Sequence, residues 1–223
     1  MRHKRANSSE GGTKVLPSSA RLQTGGTQHA DWNDRPIVGW ILRRRHELTV
    51  SLLPPRCPRL LEVGYGSGLL MPELARHCDD LYGIDVHDKH REVAAVLGGF
   101  DVTATLHSGS ATAMPYDDAF FDCVVAESVL AHIDELGRAC DEIRRVLRPR
   151  GVFVAVVPGE SWLLDIGLRV FTGASAKADF GPRRRAVVPE LLRHFEVVEQ
   201  RSYPRRSGGM LRLYTALRLR SRS

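Results

Sequence analysis

Three glycines at alternate positions, Gly64, Gly66 and Gly68, follow directly on the apolar run Leu60-Leu61-Glu62-Val63. Glycine reaches backbone conformations closed to other residues and lets a ligand lie against bare main chain. The next stretch, Leu69-Leu70-Met71-Pro72-Glu73-Leu74-Ala75, has helical spacing with Pro72 in the first turn. Strand, glycine loop and helix in this order build a nucleotide site, because amide N–H groups at the helix start face the ligand. A dinucleotide loop needs G-x-G-x-x-G, and here Leu69 stands where its third glycine belongs. Seventeen residues beyond Gly68, the run Asp79-Asp80-Leu81-Tyr82-Gly83-Ile84-Asp85 reads as a second strand ending in an acid. A carboxylate at that place accepts the hydroxyls of a ribose.

A second set of reactive groups follows the apolar run Phe121-Asp122-Cys123-Val124-Val125-Ala126, namely Glu127, Ser128 and His132. Ligands of parallel sheets sit outside the carboxyl ends of the strands, so this segment faces the reacting atoms. His132 is the candidate general base, since imidazole titrates near neutral pH; packing at the junction of strand and helix is the alternative reading. Glu127 is a weaker candidate for orienting a substrate. Ser128 lacks a G-x-S-x-G context and the nine histidines include no H-E-x-x-H, so neither hydrolase chemistry nor a metal site gains support. Cys57, Cys78, Cys123 and Cys140 form no C-x-x-C pair and read as reduced thiols.

The elements that must position these groups read in alternation. A helix after Asp31 ends before Pro54-Pro55, and a helix near Lys89 to Leu97 ends at Gly98-Gly99. A strand is expected over Asp101 to His107, a helix over Glu135 to Leu147, and a fifth strand over Gly151 to Val157. Trp162, Leu163, Ile166, Val170 and Phe171 give residues 158–182 an apolar helical face. That stretch is read as a substrate lid, with core packing and docking on a membrane surface as the competing readings. A helix over Val187 to His194 and alternating strands over Phe195 to Ser202 and Met210 to Leu219 complete the chain.

With Glu62-Val-Gly-Tyr-Gly-Ser-Gly, Gly83-Ile84-Asp85, Phe121-Asp122-Cys123-Val124-Val125 and Glu142-Ile143-Arg144-Arg145-Val146-Leu147-Arg148-Pro149 in this order, the chain resembles the class I S-adenosylmethionine-dependent methyltransferases. The resemblance covers roughly residues 59 to 157. It implies an α/β fold: a doubly wound, mostly parallel seven-stranded sheet whose last strand is inserted antiparallel beside the fifth. It also implies S-adenosylmethionine as cofactor, with S-adenosylhomocysteine as product. Gly64, Tyr65, Gly66 and Gly68 would lie along its methionine part, Glu62 near the amino group, and Asp85 and Val86 at the ribose. Ser110 and Ala111 would wall the adenine, Ser110 standing where many members have Asp. In this family the segment at Glu127 also borders the cofactor. Arg150 replaces the first of two glycines that usually follow Pro149, which bears on the turn.

The chain of 223 residues suits one α/β domain, expected over residues 31–223, with residues 1–30 as a disordered basic tail of little apolar content. Net charge is +6, unevenly spread: residues 1–30 carry five Lys/Arg against one acid, residues 31–182 sixteen against twenty-two, and residues 183–223 eleven against three. No apolar run approaches the roughly eighteen residues of a membrane helix, and the basic start leads into polar residues, so the cytoplasm is expected. The expected reaction is methyl transfer to an oxygen or nitrogen of a small molecule. Two alternatives stand beside it: methylation of RNA, with the basic C-terminal region as phosphate contact, and a non-catalytic scaffold. No separate RNA-binding module accompanies those arginines.

Overall fold

In the computed structural model, residues 13–24, 36–159, 183–204 and 212–222 are described. The expected lid therefore lies outside the described residues apart from Pro158 and Gly159.

Seven strands form one sheet: β1 (Cys57–Val63), β2 (Cys78–Asp85), β3 (Thr105–Ser108), β4 (Phe121–Glu127), β5 (Leu147–Pro158), β6 (Phe195–Tyr203) and β7 (Tyr214–Ser221). Their order across the sheet is β3-β2-β1-β4-β5-β7-β6, and β7 alone runs against its neighbours, between β5 and β6. The expected fold class is thus the observed one. Chain order reverses direction between β1 and β4, which pair in parallel from Leu60↔Cys123 to Val63↔Ala126. A crevice opens at such a point because the connections leave toward opposite sides.

Both central strands are largely apolar on both faces because helices cover both sides of the sheet. One face packs against α1 (Pro36–Leu52), the single turn α2 (Met71–Leu74) and α3 (His90–Gly98), through Leu52, Leu60, Met71, Leu74, Val93 and Leu97. The other packs against α4 (Leu136–Val146) and α5 (Arg183–His194), through Ala139, Ile143, Val146, Val187 and Leu191. Full burial of such side chains contributes about 1.5–3 kcal/mol each, which supplies most of the stabilisation.

Three local expectations change. The strand expected over Asp101 to His107 is only four residues long, because Asp101 turns the chain with φ +59° before β3 reaches the β2 edge. The helix after the glycine loop is one turn, followed by a 3-10 turn at Ala75–His77, since Cys78 must already be extended to enter β2. Residues 13–24, inside the stretch expected to be disordered, are packed on the domain. Leu16 is 1% exposed and its N–H donates to the Leu69 carbonyl at 3.1 Å, while the Lys14 N–H donates to Glu73 Oε2 at 2.6 Å. Composition cannot reveal such docking, because one leucine and two backbone donors find partners that exist only after folding.

Candidate active site

The glycine loop leaves β1 at Gly64 with φ +75° and passes Gly66 at +53° and Gly68 at +74°, all in the left-handed region that disfavours a Cβ. Gly64 is also sterically required, though by the protein and not by a ligand: a Cβ there would sit 2.4 Å from Val129 Cγ2. Val129 belongs to the segment after β4, so this contact closes the β1 loop onto the β4 loop.

A cavity of about 300 Å³ lies between them, lined by Val63, Gly64, Asp85, Val86, Ser110, Ala111 and His132 among others. Val86 is 79% exposed and Ala111 is buried, so both present apolar surface to it, as a purine requires. Ser110 Oγ accepts the Thr112 N–H at 3.2 Å and lies 2.8 Å from Thr112 Oγ1, which holds the hydroxyl in a local turn at the rim. Asp85 ends β2, and its Oδ2 accepts the Gly66 N–H at 2.8 Å. A carboxylate has about four acceptor sites, so this bond leaves capacity for ribose hydroxyls.

Glu62 lies one residue before the end of β1, 4% exposed, and its Oε2 has no partner. Burial pushes its carboxyl up, and the nearby charges of Glu127 and Asp85 push the same way, with Arg45 opposing. An orphaned carboxyl beside two further acids fits a cationic ammonium group, which would satisfy the oxygen and offset the repulsion. That is the end of the loop where the methionine amino group of S-adenosylmethionine would lie, so the residues present fit the cofactor.

Glu127 is placed differently. Its side chain is 6% exposed and faces α1, where Arg45 Nε approaches at 2.7 Å and His46 Nδ1 at 2.8 Å, and Thr49 Oγ1 donates to its other oxygen. Burial pushes this carboxyl up, but His46, Arg45 and the bonds from His46 and Thr49 outweigh it and hold it at about 2. Glu127 is therefore a charged anchor for α1. The expected orienting residue and this anchor are one side chain, and its three α1 partners escaped sequence reasoning; their one signal was spacing, R-H-x-x-T on one side of a helix.

His132 ends the 3-10 turn Leu130–His132 and its exposed side chain lines the cavity wall. Tyr65 does not line the cavity. Its ring is buried beneath the loop, where a Cβ on Gly83 would come 2.7 Å from its Cδ1. Among the described residues, no cluster of three or more His, Cys, Asp or Glu side chains could hold a metal ion, and no helix is long and apolar enough to cross a membrane.

Comparison with known proteins agrees with this geometry. Residues 61–155 match the family model of a methyltransferase domain. An uncharacterised methyltransferase of Mycobacterium sp. (strain JLS) is 30% identical over 138 residues, covering 59% of this chain and 52% of the relative. The 24-methylenesterol C-methyltransferase 2 of Oryza sativa subsp. japonica is 29% identical over 160 residues, covering 69% of this chain and 43% of that protein. The chain thus spans about half the length of the curated relatives it matches, or less. Among solved structures, the N-methyltransferase NodS from Bradyrhizobium japonicum WM9 with bound S-adenosylhomocysteine has a TM-score of 0.59 at 20% identity, covering 82% of this chain and 88% of that one. At that identity the likeness speaks for the fold. The glycine loop, the acid ending β2 and the sheet order thus accompany a methyltransferase-domain match over residues 61–155, and in that stretch the chain is similar to S-adenosylmethionine-dependent methyltransferases.

Proposed function

We propose that this protein transfers a methyl group from S-adenosylmethionine to an oxygen or nitrogen atom of a small-molecule acceptor. The observation that carries the reading is the cavity beside the glycine loop, lined by Asp85, together with the unpartnered Oε2 of Glu62, the residue before the lining residue Val63. The cofactor, when bound, supplies a methyl on a sulfonium, which needs no metal and no covalent intermediate on the protein. The chain's part is to bind, align and exclude water, and orientation alone contributes up to about 10 kcal/mol in such displacements. Asp85 accepts the ribose hydroxyls, Glu62 the ammonium group, and Val86 and Ala111 enclose the purine beside Ser110. His132 takes the proton that the acceptor loses as its bond to carbon forms and the carbon–sulfur bond breaks. Oxygen and nitrogen are favoured over carbon because one imidazole at the wall is enough for a proton already on a heteroatom. The curated relatives include a C-methyltransferase and an O-methyltransferase, so the acceptor atom is to be decided by assay.

Calorimetry with S-adenosylmethionine and S-adenosylhomocysteine tests the cofactor part, with NADH as control ligand. Micromolar binding is expected, weakened about tenfold to a hundredfold in Asp85→Ala, the loss of a hydrogen bond to a charged group. Folded protein that binds neither compound would falsify the enzyme reading. Transfer to hydroxyl and amine acceptors, compared with carbon nucleophiles, then tests the acceptor atom.

A further inference from the structure

The glycine loop must hold one shape for its carbonyls and N–H groups to serve a ligand, yet glycine peptides are the freest in the chain. Around Gly66 that freedom is removed by a side chain two residues past Asp85. His87 is 8% exposed, and its Nε2 lies 2.9 Å from the Gly66 carbonyl oxygen. A carbonyl only accepts, so Nε2 carries the hydrogen. The Lys89 backbone N–H approaches Nδ1 at 3.2 Å, and an N–H only donates, so Nδ1 is bare. The two contacts together require the neutral Nε2–H tautomer.

The ring is further held edge-on against Tyr65, with centroids 4.9 Å apart at 82°. A closed circuit results. The Gly66 N–H donates to Asp85 Oδ2, the Gly66 carbonyl accepts from His87, and the His87 N–H makes a long bond of 3.4 Å to Asp85 Oδ1. The peptides on both sides of Gly66 are therefore pinned to Asp85, which ends β2, and to His87 in the turn between β2 and α3.

We propose that His87 is a positioning residue of the cofactor site, latching Gly66 so that the loop and Asp85 meet the cofactor already ordered. The inference rests on the functional reading above. Preorganisation strengthens binding by removing an ordering cost, so its loss appears in cofactor affinity before it appears in overall stability.

The test is S-adenosylhomocysteine calorimetry on wild type, His87→Ala and His87→Gln, with melting curves alongside. The glutamine amide N–H reaches about where Nε2–H stands and can donate to the same carbonyl. Alanine is expected to weaken binding about tenfold, the equivalent of one lost hydrogen bond, and glutamine to recover most of it, with both melting close to wild type. Nitrogen-15 spectra of the wild type should show His87 neutral and protonated at Nε2. If the alanine variant unfolds, His87→Asn replaces it, filling the site with an amide too short to reach Gly66. Wild-type binding with an unaffected alanine variant, or glutamine as weak as alanine, overturns the latch alone. A wild type that binds no S-adenosylhomocysteine overturns the functional reading and the latch's cofactor role with it.

Discussion

Glu62, near the end of β1, and Glu127, at the end of β4, are glutamates with buried side chains on neighbouring parallel strands, yet only Glu127 is paired directly with cationic side chains, Arg45 reaching Glu62 through its field alone. Glu127 holds Arg45, His46 and Thr49 of α1, whereas Glu62 has an oxygen with no partner and a carboxyl pushed above its ordinary range. A buried charge costs several kcal/mol unless paired, so the two residues solve the same problem in different ways. On the β4 side the solution lies inside the fold and ties down a helix. On the β1 side the fold leaves one oxygen without a partner, where the cofactor proposed above would bring its ammonium group. The difference separates a structural acid from a proposed binding acid, although both look alike in the sequence.

The sharpest test removes the paired acid. Glu127→Ala leaves Arg45 and His46 facing a buried gap, and a loss of about 3–5 kcal/mol in urea denaturation is expected. A loss below about 1 kcal/mol would show the pair to be solvent-screened and erase the contrast with Glu62.

Next in size is Gly64→Ala, which probes the contact joining the two regions. Its Cβ meets Val129 at 2.4 Å and its φ of +75° is strained for alanine, so about 2 kcal/mol or more of stability should be lost. Adding Val129→Gly, which also removes the Val129 Cβ that would lie 2.6 Å from the new methyl, should relieve the clash but leave the backbone strain. If the double variant is no more stable than Gly64→Ala, the loops do not meet as described.

The smallest effect on stability, and the most specific, is Glu62→Gln. A carboxyl raised in the folded state contributes stability below its unfolded pKa, and that contribution is lost as pH rises through the folded value. Glu127, held at about 2, has the opposite sign: its contribution is present above the ordinary value of 4.5 and is lost as pH falls toward 2. Glu62→Gln is therefore expected to melt above wild type at pH 7.5, to lose that advantage near pH 4, and to bind S-adenosylhomocysteine about tenfold more weakly. Melting curves at both pH values, with calorimetry, check it. A variant that melts below wild type at pH 7.5 would mean that the Glu62 charge is already compensated.

Much of the fold was legible from the chain. Runs such as Phe121 to Ala126, apolar but for Asp122, suit central strands between helices, and the Gly64, Gly66 and Gly68 spacing marks a loop with left-handed backbone. Asp85 was readable for the same reason, since an acid ending the second strand stands beside that loop in any right-handed crossover. Residues 13–24 were not, because Leu16 gains its partners, the Leu69 carbonyl among them, from distant parts of the chain.

The sequence by itself determined the succession of strands and helices along the chain, the glycine loop and the acid at Asp85, because period, glycine placement and strand ends are local properties. Only the tertiary structure decided which of two glutamates is neutralised, where His87 points and what Val129 requires of Gly64. Each of these depends on a partner forty or more residues away, or on a backbone turn whose direction the folded neighbours set, and charge pairing and steric fit exist only once those parts are brought together.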